Sequence, residues 1–185
     1  MKGIVFTEFI EWAEDSIGAA TIDRAIVEAE LPSGGSYTAV GNYDHQELVA
    51  LIVRLSALSQ VSATEIVRGF GHHLFGRFVQ AYPQFFTHAR GTIPFLERIE
   101  SYIHAEVRKL YPDADLPHFD VARVDGGGMQ LVYRSSRHLA DLAEGLILGC
   151  ADHFGDEVEL HREDLSSGLE QVVRFTIRQR PEARV

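Results

Sequence analysis

Apolar residues in this chain keep a helical period as far as Pro117 and alternate like strands beyond it, and that one switch sets the class of fold. Before it they recur at three- and four-residue intervals, the spacing that lays them along one face of a helix. Phe9, Ile10, Trp12, Ala13 and Ile17 mark a first helix. Leu48, Val49, Leu51, Ile52, Leu55 and Leu58 mark a clearer one, opened by His45 to Glu47. Ala63-Thr64-Glu65 begins another that carries Ile66, Val67, Phe70, Leu74, Phe75 and Phe78. Leu31-Pro32-Ser33-Gly34-Gly35-Ser36 is a loop of turn formers between the first helices. Pro94 suits a first helical turn and opens a long helix through Tyr111, with the stripe Leu96, Ile99, Ile103, Val107 and Leu110. Tyr111-Pro112-Asp113 stops it, because proline removes a donor and clashes with the preceding turn.

Beyond Pro117 the pattern reads as strands. His118 to Val124 is one, Asp125-Gly126-Gly127-Gly128 a tight connection, and Met129 to Tyr133 its partner. A helix from about Ser136 to Phe154 follows, then strands near Glu157 to His161 and Val172 to Arg178. A helical N-terminal part followed by an antiparallel sheet with a packed helix is an α+β fold. The 185 residues suit a single domain spanning 1–185, large enough to enclose a ligand. No internal repeat or long linker divides it.

Several classes of function are excluded at this stage. Glu8 and Glu11 interrupt the N-terminus before a signal-peptide core can form, and no apolar run approaches the roughly 18 residues that cross a bilayer. Cys150 is the single cysteine, so no internal disulfide forms and a cytoplasmic location is expected. A net charge of −10 argues against nucleic acid and against an anionic membrane surface.

Chemistry-bearing residues concentrate in two places. His104 lies on the shoulder of the stripe centred on Ile103, where a side chain can enter a crevice at the core's edge. Two readings stand for it: a metal ligand, or a histidine bridging core and solvent. About thirty residues on, Tyr133, Ser135 and Arg137 follow strand alternation, so that phenol, hydroxyl and guanidinium can converge on a carboxylate. The other reading of that run is a strand end where Ser135 or Ser136 caps the next helix and Arg137 is solvated. A lone imidazole is a poor zinc site but suffices for an iron porphyrin, which supplies four nitrogens and two propionates of its own. Other candidates are weaker. His72 and His73 diverge on a helix, and Cys150 with His153 makes at most half a metal site beside the reading of a packed thiol. Gly126-Gly127-Gly128 lacks the Lys and Ser/Thr of a phosphate loop and precedes a strand.

Taken together, the chain resembles the haem-nitric oxide/oxygen binding (H-NOX) family, in the stand-alone bacterial form related to the haem domain of soluble guanylate cyclase. The resemblance runs through Met1-Lys2-Gly3-Ile4, Gly69-Phe70-Gly71, His104 to Pro112, Leu116-Pro117-His118-Phe119, Tyr133 to Arg137 and Gly145-Leu146-Ile147-x-Gly149. It implies haem b (iron protoporphyrin IX) with His104 as the axial iron ligand. It places Tyr133, Ser135 and Arg137 on the propionates and Pro117 against the macrocycle. Oxygen-binding members carry Trp, Asn and Tyr above the iron, and the corresponding residues here are Phe9, Leu74 and Leu142. None of these donates a side-chain hydrogen bond. With Val5, Phe78 and Leu146 they form an expected apolar wall, which predicts NO and CO binding with little or no O₂; the other reading is that these are core positions of amphipathic helices, where Phe and Leu are expected in any case.

The resemblance also implies a mechanism. NO at ferrous haem weakens the bond to His104, whose release lets its helix shift. The chain ends soon after the sheet, so the expected output is a separate partner, a histidine kinase or a cyclic-di-GMP enzyme. A rival binding reading is an O₂ sensor or carrier using Tyr82 or His73 as donor, a rival from another class is a haem enzyme such as a peroxidase, and the last alternative is a haem-free interaction module. The haem enzyme needs acid–base groups above the iron, where only apolar residues are expected, so a non-enzyme is the leading reading.

Overall fold

The computed structural model describes residues 1–87 and 89–180; His88 and 181–185, which the expected single domain includes, lie outside the described residues. Helix α1 (Gly3–Ala13) passes through one wide π-helical turn, Glu14–Gly18, into α2 (Ala19–Glu28). Gly18, at φ +123°, makes the bend between them in backbone space that glycine enters without cost. Helix α3 (His45–Ser59) starts where Asp44 accepts the Gln46 N–H at 2.9 Å. Helix α4 (Ala63–Ala81) is fixed by a reciprocal capping box between Ser62 and Glu65. These starts agree with the sequence reading.

The expected continuous helix from Pro94 to Tyr111 is instead broken. A short α5 (Thr92–Leu96) ends near Arg98, a π-helical stretch covers Ile99–His104, and α6 (Ala105–Leu110) completes the segment. The Arg98 carbonyl accepts from both Tyr102 and Ile103 N–H, at 2.9 and 3.1 Å, which accommodates an extra residue in the turn. Side chains recurring at three and four residues fit the narrow and the wide helix alike, so the periodicity carries no trace of the change.

Strands β1 (His118–Val124), β2 (Gly128–Ser135), β3 (Val158–Asp164) and β4 (Gln171–Gln179) form an antiparallel sheet in the order β1-β2-β4-β3. The β1–β2 turn uses positive φ at Gly126 and Gly127, as a tight hairpin requires. Helix α7 (Ala140–Phe154) begins four residues later than expected because His138 adopts φ +56° and Leu139 is non-helical. Neither Ser135 nor Ser136 caps it. The Leu139 N–H donates to the Tyr133 phenol oxygen at 3.2 Å and the Ala140 N–H to Gln171 Oε1 at 3.0 Å.

Helices α4 and α7 touch backbone to backbone. A Cβ on Gly145 would lie 2.1 Å from the Arg68 carbonyl oxygen, and one on Gly71 2.5 Å from that of Leu142. Two buried clusters result. One joins the sheet face (Met129, Leu131, Val173, Phe175, Ile177) to α5 and α7. The other packs α1 to α4 around Phe6, Phe9, Leu51, Leu55 and Phe70. Leu146 packs against both. Among the described residues no single helix is long and apolar enough to cross a membrane.

Candidate functional site

Between the two clusters lies a cavity of about 330 Å³, within the ~300–1,000 Å³ range of small-molecule and cofactor sites. The stripe predicted for the broken helix supplies one wall, with Leu96, Ile99, Ile103, Val107 and Leu110 all facing in. The strands supply Phe119, Leu131 and Tyr133, and α7 supplies Ala143, Leu146 and Ile147. The polar lining includes His104 and a group near the ends of α6 and β2.

His104 ends the π-helical stretch with its side chain only 12% exposed. Its Nδ1 lies 3.1 Å from Glu100 Oε2, and its ring centre 5.6 Å from that of Phe119. With Nδ1 donating to that carboxylate, Nε2 is the nitrogen without a hydrogen-bond partner among the described residues. Burial pushes the imidazole pKa down, against an opposing pull from Glu100, so the ring favours its neutral, ligand-competent form. Burial acts to raise Glu100, but Arg108, His104 and the Phe119 N–H outweigh it and hold the carboxyl below its ordinary value. Glu100 is a functional candidate that sequence reasoning passed over. Its position four residues before His104 was the available signal.

Tyr133, Ser135 and Arg137 line the cavity together, although the strand ends at Ser135 and alternation no longer governs Arg137. A local bond replaces it: the Arg137 N–H donates to Ser135 Oγ at 3.1 Å. The Arg137 side chain is 15% exposed and reaches Asp115 Oδ2 at 2.9 Å, so it is neither solvated nor part of a helix cap. Tyr133 is 3% exposed, and burial pushes its phenol pKa up. Its oxygen accepts from Leu139, which leaves the O–H free to donate. Pro117 lies on the same lining.

Of the six expected apolar wall residues, Val5, Phe78 and Leu146 line the cavity. Phe9, Leu74 and Leu142 do not. Phe9 and Leu74 are buried in the α1–α4 cluster, where the Phe9 ring meets Phe70 edge-on at 5.1 Å, and Leu142 packs against that cluster. The glycine contact draws α4 and α7 so close that residues at the crossing face each other's backbone, while Ala143, Leu146 and Ile147 reach the space beyond. Ile4 and Phe75 take wall positions that the sequence did not single out.

Of the two alternative donors, Tyr82 lines the cavity, with its hydroxyl 3.5 Å from that of Tyr111. That contact, followed by burial, pushes its pKa up to about 12. His73 is not part of the lining; its Nε2 lies 3.8 Å from Glu8. His72 turns the other way, to Asp152 at 2.7 Å, so the two rings diverge as expected. Cys150 is fully buried, which pushes its thiol pKa up, and the His153 ring packs on Phe154 at 4.8 Å.

Among the described residues no group of three or more His, Cys, Asp or Glu can hold a metal ion. A metal bound by His104 must therefore bring its other ligands with it. A largely apolar slot, one neutral imidazole and a hydroxyl–guanidinium set fit an iron porphyrin with carboxylate arms.

A family model described as Haem-NO-binding matches residues 2–162. The unliganded Fe(II) H-NOX protein from K. algicida is 34% identical over 100% of both chains, with a TM-score of 0.93. The IWP-051-bound H-NOX from Shewanella woodyi, in its Fe(II)CO state, is 40% identical over 100% of this chain and 97% of that one, with a TM-score of 0.81. An H-NOX protein from S. oneidensis in the Fe(II)NO state is 23% identical over 98% of this chain and 100% of that one, at a TM-score of 0.88, and speaks to the fold alone. No curated protein matches the chain.

Proposed function

The chain belongs to the Haem-NO-binding (H-NOX) family, and from that premise we propose that residues 1–185 form one cytoplasmic, non-enzymatic domain that senses nitric oxide. The observation that carries this reading is the cavity itself, with His104 on one side and Tyr133, Ser135 and Arg137 together at its polar end. Haem b, when bound, would supply a ferrous iron able to take NO or CO.

Every other part of the device belongs to the chain. Nε2 of His104 would hold the haem iron. Arg137 and the hydroxyls of Tyr133 and Ser135 hold the carboxylate arms through charge-assisted hydrogen bonds. Pro117 presses on the flat body of the group. Val5, Phe78 and Leu146 keep the gas side apolar, backed by Phe9, Leu74 and Leu142, so a ligand that needs a hydrogen-bond donor, as O₂ does, binds weakly or not at all. Of the two alternative donors Tyr82 lines the cavity and His73 does not, and for the O₂ reading the Tyr82 hydroxyl would first have to leave Tyr111.

Signalling follows from where His104 sits. Were His104 released from iron, the π-helical stretch and α6 would lose their tie to the cavity and be free to move against β1. NO thereby selects between two conformations. A separate effector, a histidine kinase or a cyclic-di-GMP enzyme, reads the shift.

The test is the absorption spectrum of the reduced, haem-loaded protein without air, then with NO or CO, then in air. Uptake of NO and CO with no O₂ retained supports the sensor. Stable retention of O₂ overturns the ligand preference, and failure to bind haem overturns the reading.

A further inference from the structure

Glu100 makes a set of bonds that neither the sequence motif nor the proposed haem contacts require. Its Oε2 accepts from His104 Nδ1 at 3.1 Å and from the Phe119 backbone N–H at 3.3 Å. Its Oε1 accepts from Arg108 Nη2 at 2.9 Å. One carboxylate thus joins the wide turn, α6 and the start of β1. An imidazole that donates one N–H to a carboxylate is held in a single tautomer and ring angle, and its other nitrogen becomes a stronger donor to a metal. The bond from Phe119 anchors the carboxylate to the sheet, so the ring is referenced to β1 as well as to its own helix.

We propose that Glu100 is the positioning residue for His104: by accepting the Nδ1 hydrogen bond it presents Nε2 to the cavity and sets how firmly that nitrogen holds iron, and so how readily His104 lets go. This rests on the reading of His104 as the axial ligand. The wide turn has a purpose in it, since it carries both residues with their side chains in contact at the edge of the cavity. Arg108 and the Phe119 backbone N–H keep the carboxylate in place without bonding to the imidazole nitrogens.

The experiment is resonance Raman spectroscopy of the reduced, haem-loaded protein, following the iron–histidine stretching band in wild type, H104A, E100Q and R108A. The Gln side chain keeps the shape of Glu100 and removes its charge. E100Q is expected to move the band to lower frequency and to weaken the hold of His104 on iron by about 10–100-fold. R108A removes a partner of Glu100 but not the bond to His104, and is expected to leave the band in place. A wild-type band that E100Q leaves unmoved overturns the inference while His104 stands as ligand. No such band in wild type, or one that persists in H104A, overturns the assignment of His104 and this inference with it. If E100Q does not retain haem, the haem-free wild type decides through its histidine ¹⁵N shifts. They must show His104 protonated on Nδ1, and protonation on Nε2 overturns the inference.

Discussion

Tyr133 holds the start of α7 and is proposed to hold a carboxylate as well, and the cost of removing its hydroxyl should register with both. Its oxygen receives the Leu139 N–H at the start of α7, and its O–H is left for a carboxylate in the cavity. Tyr133→Phe strands that buried N–H. It should lower the stability of the haem-free protein by about 1–3 kcal/mol in urea denaturation, and should speed haem transfer to an acceptor protein. His104→Gly removes the axial nitrogen and leaves room for a substitute. Added imidazole should restore the wild-type spectrum, and a variant whose spectrum does not respond to imidazole would remove His104 from the site. The sequence singles out His104, Tyr133, Ser135 and Arg137, which line the cavity together, because their side chains are chemically distinct and their order along the chain is specific. Glu100 does not stand out, since a carboxylate four residues from a histidine on a helix is commonplace and its contact with Phe119 is tertiary. Phe9, Leu74 and Leu142 do not line the cavity, because periodicity gives direction and not distance.

The two elements that most shape the cavity left no mark in apolar spacing. The π-helical stretch Ile99–His104 keeps its apolar stripe, so the sequence reads through it as one long helix. The α4–α7 crossing depends on residues with no side chain, and a hydrophobic pattern shows them only as gaps. The late start of α7 is similar: Ser136 has the character of a cap, yet the phenol of Tyr133 and the amide of Gln171 take that task. The strands were read nearly to the residue, since alternation has a period of two and the Gly126-Gly127 turn fixes the register. Gly145→Ala tests the crossing, because its methyl would overlap the Arg68 carbonyl oxygen. Overpacking of this kind costs about 1–3 kcal/mol or more and should lower the urea midpoint. Gly155→Ala has open space around its Cβ and should pay only for its left-handed backbone, less than Gly145→Ala does.

Across the whole molecule, the loop after α6 is tied to the N-terminus. Asp113 receives Lys2 at 3.0 Å and Asn42 at 2.5 Å, and the Lys2 ammonium lies over the Tyr111 ring. Asp113 is exposed, so Asp113→Ala should leave the urea midpoint nearly unchanged while raising amide exchange in 111–117. Acid should act on the haem-free fold in two stages. His104 is shifted down by burial, so its neutral form is favoured on folding. That contribution is complete above 6.5 and lost as pH falls toward the folded value. Asp113, Asp120 and Asp164 are shifted down by Lys2, Arg134 and Ser166 respectively. Their contribution is complete above 3.8 and lost as pH falls through their lower folded values. Urea midpoints measured against pH should show both limbs in wild type and only the lower one in His104→Gln. The cavity, finally, is walled by side chains from both buried clusters, Phe119 and Leu131 on one side and Val5 and Phe78 on the other. A guest lodged there is a keystone: it bears on two bodies of packed side chains at once, and any change in its outline is a load that both must carry.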